Sequence, residues 1–149
     1  MSEIEIKSMT MEHMAEVVEM MRVFYASPAV LSNGSEEIFQ NNVENCVNDN
    51  PYLEGYVFVE KSKEDDILGY AMVAKSFSTE FGKPCMWIED LYLKPNQRGK
   101  GIGTQFFSFI QKKYPNALLR LEVEVENERA IHVYKKCGFE ELPYLEMKR

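Results

Sequence analysis

The chain has 149 residues, 45% of them hydrophobic and 28% charged, with a formal net charge of −7. That is enough apolar material for the core of one domain and too much for a disordered chain. The acidic balance, with a pI near 5.0, argues against a general nucleic-acid binder, which needs a basic face, and no apolar run reaches the ~20 residues of a membrane span.

In chain order, Ile4 and Ile6 alternate with Glu3, Glu5 and Lys7 as a half-buried strand, and the acidic start is no signal peptide. Thr10 is placed to cap a helix carrying Met14, Val17, Val18 and Met21, which fades near Tyr25 before Ser27-Pro28. Ser27 to Gly34 reads as a loop. Ser35 caps a second helix with Ile38, Val43, Cys46 and Val47 on its apolar side, ended by Asp49-Asn50-Pro51. Gly55 to Glu60 and Ile67 to Lys75 read as strands around a polar turn, Ser62 to Asp66. Past Gly82-Lys83-Pro84, Met86 to Leu93 is a strongly apolar strand, followed by a glycine turn and a helix to about Lys113. Leu119, Leu121, Val123 and Val125 alternate with Arg120, Glu122 and Glu124 as a further strand. Asn127 caps a short helix with Ala130, Val133, Tyr134 and Cys137 on one side and a left-handed cap at Gly138; Tyr144 to Lys148 is a last short strand.

This order, β-α-α-β-β-β-α-β-α-β, predicts an α/β (α+β) fold: a single domain over residues 1–149 with a mixed, mostly antiparallel central sheet and helices on both faces. Cys46, Cys85 and Cys137 lack the spacing of a disulfide framework or a metal site and read as reduced packing residues of a cytoplasmic protein. No metal is expected.

The run Asn96-Gln97-Arg98-Gly99-Lys100-Gly101-Ile102-Gly103-Thr104 carries the chemistry. Glycines at alternate positions let the backbone turn and approach a ligand closely. Successive N–H groups in such a turn, backed by a helix N-terminus, form a pocket for phosphate. Arg98 and Lys100 add positive charge. A Walker-type loop would place Lys after its last glycine, and a dinucleotide fingerprint needs a third small residue where Phe106 stands, so both fit poorly.

Glu89 and Asp90 interrupt the apolar strand before that turn. Neighbours in a strand face opposite ways, so each face of a covered sheet would receive one carboxylate, at a cost of several kcal/mol if unpaired. Either they mark a cleft or the strand splays and wets both. Which one faces the cleft depends on pleat phase, which one bulge would reverse.

With strand, glycine turn and helix in place, the chain resembles the GNAT N-acetyltransferase superfamily, most of all its small-amine members. Arg98, Gly101 and Gly103 match the family's Gln/Arg-x-x-Gly-x-Gly/Ala, and Asn127-Glu128-Arg129-Ala130 to Tyr134 and on to Gly138-Phe139 is similar to its Asn-x-x-Ala-x-x-x-Tyr-x-x-x-Gly-Phe signature. The resemblance implies acetyl-CoA as cofactor, with CoA as product. Leu91, Tyr92, Leu93, Gln97, Arg98, Gly99, Lys100, Gly101, Ile102, Gly103, Thr104 and Asn127 would bind it, Leu91 through its N–H toward the thioester oxygen. Glu89, the first choice, or Asp90 would be the base and Tyr134 the acid. Phe24, Tyr25 and Val30 would lie near the acceptor. Glu36, Glu37, Glu44 and Glu54 would either draw in a polyamine, an aminoglycoside or a basic peptide, or form a solvated face.

The expected activity is acetyl transfer to a primary amine of a small molecule. Two alternatives stay open: transfer to a protein N-terminus or lysine, and a non-catalytic CoA-binding or interaction module. The expected partner is a small-molecule amine, with neither nucleic acid nor membrane. A homodimer is left open, since an exposed apolar edge would pair two chains.

Overall fold

The computed structural model describes residues 3–149, with Glu64 and Asp65 described by backbone alone; Met1 and Ser2 of the acidic start lie outside the described residues. The elements follow the apolar spacing closely. Strand β1 is Ile4–Ser8, and a 3-10 turn over Met11–His13 leads into helix α1, Met14–Tyr25. Helix α2 is Glu36–Val47, capped by Ser35, whose Oγ accepts the N–H of Ile38 at 3.2 Å. Strands β2 (Leu53–Glu60), β3 (Lys63–Ser78) and β4 (Lys83–Leu93) form the meander. Helix α3 (Ile102–Lys113), strand β5 (Leu118–Leu121) and helix α4 (Glu128–Lys136) complete the order.

The sheet runs β1-β2-β3-β4-β5, antiparallel except for the parallel β4–β5 pair. On one face α1 and α2 bury Val17, Met21, Phe39 and Val43 against Val57, Val59, Tyr70 and Met72. On the other, α3 packs Ile102, Phe106 and Ile110 over Phe58, Ala71, Val73 and Ile88. Each such side chain contributes about 1.5–3 kcal/mol when removed from water. The predicted mixed, mostly antiparallel sheet with helices on both faces is therefore the observed one.

Three local expectations change. In α2, Ile38 is 48% exposed and Phe39 is buried instead. Phe39 is the larger apolar group, and its ring packs on Tyr25 at 5.1 Å between centroids. The alternation from Leu119 to Val125 forms a strand only through Leu121, and residues 140–149 carry no strand. Val125 is 82%, Leu145 86% and Met147 88% exposed. An alternating pattern holds a strand only where one of its faces is covered, and these side chains have no such cover among the described residues.

Candidate active site

The site begins with a one-residue insertion in β4. Met72 of β3 stands opposite Asp90, while the next residue, Val73, stands opposite Ile88. Glu89 is the extra residue of a β-bulge. Before it, Met86 and Ile88 point under α3; after it, Tyr92 points under α1. The bulge thus reverses the phase of the strand and decides which carboxylate goes where. Glu89 stands exposed. Asp90 turns to the α1–α2 face and is 5% exposed.

Asp90 keeps its place through hydroxyl donors. The Tyr70 hydroxyl donates to its Oδ2 at 2.8 Å. The Tyr25 hydroxyl, from the last turn of α1, reaches Oδ1 at 3.1 Å and Oδ2 at 3.2 Å. Burial pushes the Asp90 carboxyl up, and the two tyrosine hydroxyls oppose that rise by stabilising the anion. The Glu89 carboxyl is also pushed up, first by partial burial and then by the charges of Asp90 and Glu146. Its exposed surface is what decides its availability to a substrate.

Among the described residues, no strand pairs with β4 on its β5 side beyond Ile88, because β5 meets only Cys85 to Ile88. The strand opens there into the glycine turn. A 3-10 turn at Pro95–Gln97 precedes Gly99, at φ 75°, and Gly101, at φ 81°. These are left-handed conformations that glycine adopts without a Cβ penalty. Past the Arg98 N–H, which reaches the Pro95 carbonyl, the next backbone donor with a protein acceptor is Gln105, on Gly101. Among the described residues, the N–H groups from Gly99 to Thr104 therefore meet no protein acceptor. Six donors in one turn at a helix N-terminus fit a diphosphate.

The side chains around the turn are partly committed. Arg98 Nε donates to the Leu93 carbonyl at 3.0 Å, and its guanidinium lies 5.5 Å from the Tyr92 ring centroid. Lys100 Nζ lies 3.4 Å from Oε1 of the buried Gln97. Ile102 of α3 is buried in the core, and Leu91 and Leu93 are partly buried against the same cluster. Gly103 lies inside α3, where an added Cβ would sit 3.9 Å from Leu91.

Asn127 caps α4, its Oδ1 accepting the Ala130 N–H at 3.3 Å. Tyr134 packs edge-on to Phe107 and Phe139, with centroids 6.2 and 6.1 Å away. Its phenol is pushed up, by burial and then by Cys137, so it stays protonated at neutral pH. On the acceptor side, Phe24 and Tyr25 sit beside β4, with Phe24 5.8 Å from the Tyr92 ring. Val30 lies in the loop after α1, its N–H 3.4 Å from the Ser27 carbonyl.

Two acidic candidates are already engaged. Glu36 pairs with Arg22. Glu54 accepts from Tyr56 at 2.7 Å and Tyr114 at 2.5 Å and lies 3.5 and 3.6 Å from Lys75 and Lys113. Burial works to raise the Glu54 carboxyl, and these hydroxyls and lysines outweigh it and hold it low. Glu54 is a structural tie between β2 and the end of α3. Two surface clefts, about 310 and about 230 Å³, border β1 with α3 and β2 with α2; Glu54 lines the second, and neither is lined by the expected catalytic or cofactor-binding residues.

Sequence reading missed Tyr70, Glu122 and Glu146. Tyr70 carried a signal: a tyrosine in a run of apolar strand residues needs a partner for its hydroxyl. Glu122 carried none, as it looks like any outward residue of an alternating strand. Its carboxyl is pushed up to about 7 by burial and by Glu146, with Glu89 adding to both.

Residues 17–139 match the Acetyltransferase (GNAT) family, and the chain belongs to it. The thialysine N-epsilon-acetyltransferase of Bos taurus is 38% identical over 82 residues, which are 51% of this chain and 46% of that protein. The chain thus spans about half the length of the curated relatives it matches. A possible acetyltransferase from Clostridium difficile 630 has the same fold, with TM-score 0.82 and 20% identity over 98% of this chain and 96% of that one. Aminoglycoside N-acetyltransferase AAC(6')-Iy, solved in complex with CoA, matches with TM-score 0.80 and 15% identity over 100% of this chain and 95% of that one. No helix among the described residues is long and apolar enough to cross a membrane.

Proposed function

We propose that the protein transfers the acetyl group of acetyl-CoA to a primary amine of a small molecule. The observation that carries this is the second half of β4, where an exposed carboxylate on a bulge stands on the strand that leads into a turn of six N–H groups with no protein acceptor among the described residues. The amine substrates named for the bovine and aminoglycoside relatives support the same reading.

Gly99 to Thr104 would hold the diphosphate by backbone N–H groups, with Arg98 and Lys100 adding charge. Asn127 and the backbone of β4 at Leu91 to Leu93 would hold the pantetheine arm. Bound there, acetyl-CoA supplies an activated acetyl group. Glu89 removes the proton from the incoming amine. With a lysine-like pKa near 10.4, only roughly one such amine in a thousand is free at neutral pH. A carboxyl held above its ordinary range is a stronger base than an ordinary one. The Leu91 N–H is assigned to the carbonyl oxygen, where one such donor contributes about 3 kcal/mol. The Tyr134 hydroxyl, kept protonated by its burial, is the proton donor for the departing sulfur.

The test is CoA release measured over a panel of spermidine, an aminoglycoside and a lysine peptide. Small amines should turn over, and Glu89→Gln should lower kcat by about 10²–10⁴-fold with CoA affinity unchanged by calorimetry. Preference for the peptide would move the activity to proteins. Tight CoA binding with no turnover on any acceptor would leave a binding module.

A further inference from the structure

Asp90 is a buried carboxylate with no counter-cation among the described residues. Its partners are the hydroxyls of Tyr70 and Tyr25, and no lysine or arginine forms an ion pair with it among the described residues. A buried charge is normally paired with an opposite charge, and hydroxyl donors compensate it only in part. Tyr70 is fully enclosed. Tyr25 is only partly buried and stands at the end of α1, beside the acceptor side of β4. The rings around it are aromatic: Phe24 at 5.6 Å and Phe39 at 5.1 Å, with Phe24 touching Tyr92 in turn. Ring faces and an uncompensated carboxylate act in the same direction and favour a cation.

We propose that Tyr25 selects an alkylammonium acceptor and that Asp90 is a positioning residue acting through it. The proposal rests on the acetyltransferase reading and names the charge class of its acceptor. Because Tyr25 gives its proton to Asp90, the lone pairs of its oxygen are left to accept an N–H from the substrate. Donation to a carboxylate makes that oxygen a stronger acceptor. The negative charge of Asp90 thus reaches the cleft through one phenol while the carboxylate itself stays dry. Asp90 acts on Glu89 as well, as an adjacent like charge. The other charged or titratable groups bearing on Glu89 are Glu146, Glu122 and the Tyr25 hydroxyl. The two glutamates add negative charge beside Glu89 and the phenol is neutral, while the cations Arg98 and Lys100 lie toward the glycine turn.

Asp90→Asn and Tyr25→Phe test the proposal. Asn keeps an oxygen for the Tyr25 proton and removes the charge; Phe keeps the ring and removes the oxygen. Calorimetric titration of the CoA-saturated protein with spermidine should show affinity reduced about tenfold or more in both variants, with CoA affinity within about twofold of wild type. KM for spermidine should rise by a like factor, well beyond any change in kcat. The acid limb of the kcat/KM profile should move to lower pH in Asp90→Asn, since Glu89 loses a neighbouring negative charge, and a merely structural role for Asp90 would not move it. Equal spermidine affinity in wild type and both variants overturns the proposal. So does parallel loss of spermidine and CoA affinity, or a wild type that does not bind spermidine. A wild type that binds spermidine but releases no thiol with any amine sinks the transferase reading, and the titration alone then decides the role of Tyr25.

Discussion

The two halves of β4 make a useful comparison. From Cys85 to Ile88 the strand is paired on both sides, with β3 and with β5. From Glu89 to Leu93 it keeps only β3. The first half is scaffold: Cys85, Met86 and Ile88 are buried, and Arg120 of β5 lies 4.5 Å above the Trp87 ring. The second half holds both carboxylates and leads into the glycine turn. One inserted residue separates them, so a strand becomes a site by reversing its phase and losing one partner.

Removing the insertion is the most drastic way to break the contrast. Deleting Glu89 would join Ile88 directly to Asp90 in regular alternation, with Ile88 still under α3 and Asp90 still opposite Met72 on the α1–α2 face. The packing should survive, with stability, read from urea unfolding, changed by no more than about 1 kcal/mol. Amine acetylation should drop by about 10²–10⁴-fold, because the exposed carboxylate is gone. A loss of stability of several kcal/mol would mean that the bulge is needed for the core, and unchanged turnover would mean that Glu89 is not the base.

Next in size is Tyr70→Phe, which removes the shorter of the hydroxyl bonds to Asp90. It should cost about 1–3 kcal/mol. The Tyr70 bond favours the ionised form, so its loss raises the Asp90 carboxyl further above its unfolded value. The penalty therefore grows as pH rises and shrinks in acid, where Asp90 is protonated. A loss independent of pH would show that Asp90 was not the partner that mattered.

The glycines give a smaller, sharper contrast. Gly101 sits at φ 81° with nothing within 4 Å of an added Cβ, so the cost of Gly101→Ala is conformational, not steric, and about 1–2 kcal/mol. It should also weaken CoA binding by turning the N–H groups away. Gly103→Ala, inside α3, should leave stability unchanged or raise it by up to ~1 kcal/mol. Thermal melts and CoA titrations of the pair check both statements.

Much of this was legible in the sequence because the signals are local. The glycine turn, the Ser35 and Asn127 caps and the Gly138 terminus each depend on a few adjacent residues. The bulge was not legible, since the apolar positions from Met86 to Leu93 fit either phase. Nor were the donors to Asp90, which come from α1 and β3, 65 and 20 residues away. The strand expected over Tyr144 to Lys148 failed for a related reason: alternation says which residues would share a face, but not whether anything covers it. Glu54 shows the same limit, as an acidic residue that reads as a lure for cations is held by Tyr56 and Tyr114 of the protein itself.

The smallest effect lies on the open side of β4, where Glu122 faces Glu146 and Glu89. The Glu122 carboxyl titrates at about 7 in the folded chain against 4.5 for an ordinary glutamate. The folded state therefore holds this proton more tightly than the unfolded state. Its contribution to stability is complete below pH 4.5 and is lost as pH rises through about 7. Glu122→Gln has no proton to lose, so the variant and wild type should diverge across that window, with the variant the more stable above it. Glu122 is exposed, and solvent screening holds the difference below about 1 kcal/mol. Melting temperatures at pH 4 and pH 8 would show it as a gap that opens on the alkaline side. Glu146→Gln should open a smaller gap, because burial, the first cause of the rise, stays with Glu122, and the double variant should exceed Glu122→Gln by little. A gap that is the same at both pH values would mean that the two carboxylates do not meet.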